Sequence, residues 1–169
     1  ASPTAAPFNN SATFYNDAMV ITLEFIQDVL AEEYPFGFVD RSYMPRLQAA
    51  FDKGIEFILK AQIEVDGRLT AWAQRHNPIT YEPVAGRAFE PVAINPWVSV
   101  GIVKLLLSLP EPSPEVKYAV LSAVEYLERV RLEDGRWAMF YQLGTNRPIF
   151  AGRDAVIRYD LSEIELERQ

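Results

Sequence analysis

Cysteine is absent from the 169 residues, and histidine occurs once, as His76. The first absence excludes disulfides, a thiolate zinc site and a cysteine nucleophile. The second argues against a His-rich metal site and a Ser-His-Asp triad. No GxGxxG loop, P-loop, HExxH, GxSxG or EF-hand pattern occurs. No apolar run approaches the roughly 18 residues of a membrane span. Lys and Arg are missing from residues 1–40, which carry Asp17, Glu24, Asp28, Glu32, Glu33 and Asp40. The net charge of −7 argues against nucleic acid as the partner, because that needs a basic face.

What is present is globular: 49% apolar and 12% aromatic residues, in a length suited to one domain. Residues 1–12 read as a flexible Pro/Ala/Ser/Asn lead-in, followed by a single domain over 13–169. The start, Ala-Ser-Pro without Met, has the form of a processed N-terminus or a linker end.

Apolar spacing predicts four substantial helices. The first spans about 13–33, through Phe14, Ala18, Ile21, Phe25, Val29 and Leu30, with Ser11 or Thr13 as its cap. The second spans about 43–63, with Pro45 in its first turn and Gly54 permitting close packing. The third starts at Asn95-Pro96, is apolar almost all round and stops at Pro110. The fourth spans about 114–131, with Val116, Val120, Val124, Leu127 and Val130 inward. Residues 64–95 lack a helical period; Val65-Asp-Gly-Arg reads as a tight turn and Leu69-Thr-Ala-Trp as a short strand. Loops of such length are usually functional. The tail from 133 is irregular, and Ser162-Glu-Ile-Glu165 has the form of a capping box opening a short last helix. The fold class is mainly α: about four helices, long irregular loops and a few short strands.

Arg outnumbers Lys by 12 to 4, which suits planar contacts to carboxylates and equally suits ordinary ion pairing. Asn16-Asp17 is suited to hold a cation or to cap a helix. Arg75-His76-Asn77 is a polar cluster or a solvated loop. Arg87-Ala-Phe-Glu90 places an arginine in a cleft or forms an Arg–Glu pair. Asn146-Arg147 and Arg153, set among aromatics, are suited to an acidic sugar, the ring stacking and the guanidinium forking onto the carboxylate.

Six co-linear stretches carry a resemblance: Thr13-Phe-Tyr-Asn-Asp17-Ala-Met19, Ile58-Leu-Lys-Ala-Gln62, Gly67-Arg-Leu-Thr-Ala-Trp72, Gly86-Arg-Ala-Phe-Glu90, Ser99-Val-Gly-Ile-Val103 and Leu143-Gly-Thr-Asn-Arg-Pro-Ile-Phe-Ala-Gly-Arg-Asp154. Together they resemble family 10 polysaccharide lyases, secreted bacterial pectate lyases. The resemblance implies a partial (α/α) toroid and a cleft lined by loops. It also implies calcium-dependent anti β-elimination of polygalacturonate, in which Arg87 matches the base and Arg147 a substrate-binding arginine. Arg153 or Arg158 matches another.

The departures from the family pattern point away from catalysis. The family's N-terminal half, with an acidic calcium ligand, is not represented. Asn16 replaces the first Asp of a pair, Asn77 replaces another acid, and Val98 replaces a Glu beside Trp97. The expectation is therefore a truncated, non-catalytic pectin-binding module, free or attached to a larger modular enzyme. Its substrate-binding residues would be Arg87, Arg147, Arg153, Arg158, Trp72, Trp97, His76 and Asn146, with Tyr81 as a further stacking ring. No cofactor is expected. The alternatives are a calcium-dependent lyase with Arg87 catalytic and the metal at Asp17 and Asn16, or a lyase scaffold serving another role. Secretion follows from the resemblance alone.

Overall fold

A computed structural model of the chain describes residues 10–32 and 34–166. Four helices form its body: α1 (Ala18–Leu30), α2 (Met44–Ala61), α3 (Pro96–Leu107) and α4 (Pro114–Arg129). α1 packs on α2 and α3, and α4 packs on α3 and α2. Their shared core holds Val20, Leu23, Phe51, Ile58, Ile102, Leu105, Leu106, Ala119, Ala123 and Tyr126. Gly54 lies against the Leu23 side chain, so close packing of α1 on α2 is what the glycine permits.

Local capping explains where two helices start. Asn95 accepts from the Val98 amide at 3.1 Å, and Ser113 accepts from the Val116 amide at 3.3 Å. Each is followed at once by a proline, whose fixed φ and missing N–H suit a first helical position.

The first helix starts later than its apolar spacing predicts. Asn16 (φ 53°) and Asp17 (φ 55°) are both left-handed, so residues 15–17 form a separate turn before α1. Neither Ser11 nor Thr13 caps the helix. The displaced start also changes the buried face: Val20, Leu23 and Val29 point inward, whereas Ile21 and Phe25 face out. In α4, Ala123 takes the inward place expected of Val124, which is exposed. α3 is flanked by α1 and α4 and leaves one strip open, at Trp97, Val100, Lys104 and Leu107.

Seven short strands stitch the loops to this body. β1 (Ala12–Thr13) pairs antiparallel with β4 (Arg75–His76), with Ala12 opposite His76. Ala12 thus lies in a strand; residues 1–9 of the expected lead-in fall outside the described residues. β2 (Glu64–Val65) and β3 (Arg68–Leu69) form a hairpin. Its two-residue turn has Asp66 at φ 51° and Gly67 at φ 74°, the left-handed pair that a tight hairpin requires. β5 (Phe140–Tyr141), β6 (Pro148–Ala151) and β7 (Ile157–Arg158) form a three-stranded sheet where the sequence suggested irregular chain. Paired Ile94 and Tyr141 backbones tie this sheet to the long loop, at 3.0 and 2.9 Å. The expected last helix is only a turn over Leu161–Glu163, and its cap is Asp160 rather than Ser162: Asp160 Oδ1 accepts from the Ser162 amide at 2.9 Å and from the Ser162 hydroxyl at 2.8 Å.

Candidate functional site

Residues Gly86 to Glu90 turn back on themselves. The Gly86 amide donates to the Glu90 carbonyl at 3.0 Å, and the Glu90 amide donates to the Arg87 carbonyl at 2.8 Å. This brings the Glu90 carboxylate inside, where its side chain is 3% exposed. Oε2 accepts from Arg75 Nε at 3.2 Å and from the Arg87 amide at 3.0 Å. Oε1 accepts from Arg87 Nε at 2.7 Å and also from Arg87 Nη2. A Cβ on Gly86 would collide with that carboxylate and lie 2.6 Å from Arg75 Nε, so the clamp needs glycine there.

Arg87 remains 41% exposed at its side chain. Its guanidinium lies between two rings, 4.9 Å from Tyr15 and 4.8 Å from Phe89. Its hydrogen bonds to Glu90, then to Tyr15, push its pKa above the ordinary arginine value. Burial works against ionisation of Glu90, but hydrogen bonds from Arg87 and Arg75 outweigh it and hold the carboxyl below its usual range. The arrangement is a fixed cation with an open edge.

Tyr15 joins this clamp to the left-handed turn that carries Asn16 and Asp17. The turn packs on α3, where a Cβ on Gly101 would lie 2.5 Å from Asp17 Oδ1. Trp97, 74% exposed, stands one helical turn before Gly101 on the same strip of α3. Arg87 thus meets this turn at Tyr15, and α3 meets it at Gly101, four residues after the exposed Trp97. Tyr15 and Phe89 were not singled out from sequence: nothing in local spacing announces that a ring will meet an arginine across the fold.

Asp17 Oδ1 is buried without a hydrogen-bond partner. Such an acceptor is suited to a cation, but calcium takes roughly six to eight oxygens. Among the described residues no three His, Asp or Glu side chains cluster, and the neighbouring Asn16 adds only a neutral amide. The residues present do not by themselves fit a calcium ion.

Two expected binding residues belong to the core instead. Trp72 is fully buried, and its Nε1 donates to the Ile58 carbonyl at 2.8 Å. It cannot stack on a sugar, because nothing from outside reaches its ring. His76 is likewise fully buried. Its Nδ1 lies 2.8 Å from the Tyr81 carbonyl, and its Nε2 accepts from the Ala73 amide at 3.1 Å. This fixes the neutral Nδ1–H tautomer and makes His76 a staple of the long loop. Tyr81 is half-buried against Phe57 and Lys60.

Burial, opposed by the bond to the Tyr81 carbonyl, lowers the His76 pKa below 6.5. The unfolded chain therefore takes up this proton before the folded one does. Its contribution is fully present above about pH 6.5 and is lost as pH falls below that value. Urea melts at pH 7.5 and 5.5 are expected to show a loss of stability that His76→Gln flattens; equal slopes for both proteins would contradict the assignment.

The C-terminal sheet gathers a second set of arginines. Arg147 lies 4.0 Å over the Tyr159 ring. Arg158 forks onto Asp154 at 3.0 and 2.6 Å, pulling that carboxyl down to about 2, helped by the Val156 amide. Arg158 would therefore have to exchange Asp154 for any ligand. The Arg153 amide donates to Glu165 at 3.1 Å. Asn146 is left-handed (φ 57°) in the turn before Arg147, with Oδ1 buried and lacking a hydrogen-bond partner.

Helices carrying a loop-built site that pairs a clamped arginine with aromatic rings define the class, and comparison with known proteins identifies the family. The model of the pectic acid lyase family matches residues 2–136 and 132–169. The chain belongs to that family. A point mutant of a family 10 polysaccharide lyase from Cellvibrio cellulosa, in complex with trigalacturonic acid, superposes with a TM-score of 0.90 at 29% identity. A second structure of a family 10 polysaccharide lyase from that organism gives 0.88 at 27% identity. Each alignment covers 99% of this chain but only 59% and 58% of those longer chains. A comparison with curated proteins finds no match.

Proposed function

We propose that this chain binds polygalacturonate without cleaving it. The observation that carries the reading is the state of Arg87. A base at this position would have to give up a proton, yet Glu90 and two aromatic faces all favour the charged guanidinium. A permanently charged, half-exposed fork is suited to a uronate carboxylate. Trp97, exposed at the start of α3, offers a sugar-stacking face. Arg147, Arg153, Arg158 and Asn146 supply further polar contacts from the sheet. The four helices form part of an (α/α) toroid, and the module serves outside the cell, alone or within a larger enzyme. The structural likeness to a lyase bound to trigalacturonic acid supports the ligand class.

A second reading, a calcium-dependent lyase, is favoured by the unpartnered Asp17 Oδ1. Native electrophoresis through gels containing polygalacturonate, with chelator present, separates the two. Binding predicts retardation, its loss in Arg87→Ala, and no ultraviolet absorbance from unsaturated ends. Chelator-sensitive release of unsaturated ends would establish the lyase instead. Unretarded wild-type protein that also releases no such ends would overturn both.

A further inference from the structure

A cavity of about 360 Å³ that shares no residue with the Arg87 clamp is lined by Val65, Asp66, Arg68, Arg129, Gly144 and Asn146. It is formed by the tip of the β2–β3 hairpin, the last turn of α4 and the turn before β6. Arg68 and Arg129 are exposed, and neither makes an ion pair among the described residues. Arg129 is steadied over the Tyr126 ring at 5.4 Å. Nothing lies within 4 Å of where a Cβ would stand on Gly67 or Gly144, so the rim is open. Neither guanidinium is engaged by a carboxylate among the described residues, so both are available to an anion that enters the cavity.

We propose that this cavity is a second subsite for one uronate unit of the same polymer. The donor set selects the chemistry. Two guanidinium groups receive a carboxylate in bidentate fashion, and the Asp66 carboxylate accepts from sugar hydroxyls. With Asp66 ionised the lining carries one net positive charge, matched to the single carboxylate of a uronate rather than to a phosphate dianion. The volume lies at the small end of the range for ligand pockets, about 300–1,000 Å³. Position supports the assignment: Asn146, which lines the cavity, immediately precedes Arg147, whose guanidinium is stacked on Tyr159. The cavity and Arg147 thus share the turn that carries Asn146. The inference rests on the polygalacturonate-binding reading.

The test compares wild-type protein, Arg68→Gln/Arg129→Gln, and Arg46→Gln/Lys53→Gln, which removes equal charge from α2. Trigalacturonate binding is measured by calorimetry, and the Gly67 and Gly144 amide shifts are followed by NMR. The expected result is affinity weakened about tenfold in the first variant, no change in the second, and ligand-induced shifts at both glycines in the wild type. Equal weakening in both variants, an unaltered Arg68→Gln/Arg129→Gln protein, or unmoved glycine amides would overturn the subsite while leaving polymer binding intact. Inorganic phosphate shifting those amides as strongly as trigalacturonate would show a general anion site and overturn the uronate assignment. Failure of the wild type to bind any oligogalacturonate would instead overturn the binding reading, and the subsite with it.

Discussion

Glu90→Ala is expected to destabilise the fold by about 3–5 kcal/mol, the range for removing one partner of a buried ion pair. The figure belongs to the Arg75–Glu90 contact, whose side chains are 8% and 3% exposed. The more exposed Arg87 bond adds less, because solvent screens it. Arg75 sits in β4, which pairs with β1, so losing its carboxylate loosens the loop and the approach to Asp17 together. Glu90→Gln keeps the volume and one acceptor and should cost less than alanine. The acid limb follows from the sign of the shift. Glu90 ionises more readily folded than unfolded, so its contribution is present above about pH 4.3 and disappears as pH falls through the lower folded value. Urea unfolding at pH 7 measures the alanine variant directly; a loss below about 1 kcal/mol would mean that the pair behaves as a solvated one. Arg87 in that variant should also bind polygalacturonate more weakly, because nothing then holds its fork in place.

The helices were legible because their signals are local. The caps at Asn95 and Ser113, the prolines that follow them and the apolar period of α2 and α4 all act within a few residues. The start of α1 was not, because left-handed Asn16 and Asp17 override an apolar spacing that continues smoothly through them. The three-stranded sheet was invisible for a different reason: strands such as Phe140–Tyr141 are too short for any alternation to register. At the site, Arg87-Ala-Phe-Glu90 was readable as either an exposed arginine or an ion pair, and the structure makes it both. Trp72, expected as a stacking ring, and His76, expected in a polar cluster, both lie in the core. They sit in a polar-looking segment, Arg75-His76-Asn77 and its approach, but two-residue pairing of β1 with β4 and the Asn95 amide on the Trp72 carbonyl draw that segment into the core.

Of the three tryptophans, Trp72 and Trp97 make the sharpest contrast between core and surface. Trp72→Ala is expected to cost about 3–5 kcal/mol for the lost ring and the cavity it leaves. The Ile58 carbonyl would also lose its partner, adding about 1 kcal/mol. Trp97→Ala should change stability by no more than about 0.5 kcal/mol, as for a surface position, and should weaken polygalacturonate binding instead. Fluorescence keeps the two effects apart. In a Trp137→Phe background, which removes the third, 43% exposed tryptophan, iodide should quench Trp97 readily and Trp72 hardly at all, and bound polymer should protect Trp97. Urea melts and gel retardation of both variants check the assignment. A Trp72→Ala protein as stable as wild type would remove Trp72 from the core. A Trp97→Ala protein with undiminished retardation would leave the arginines to hold the polymer without a stacking face on α3.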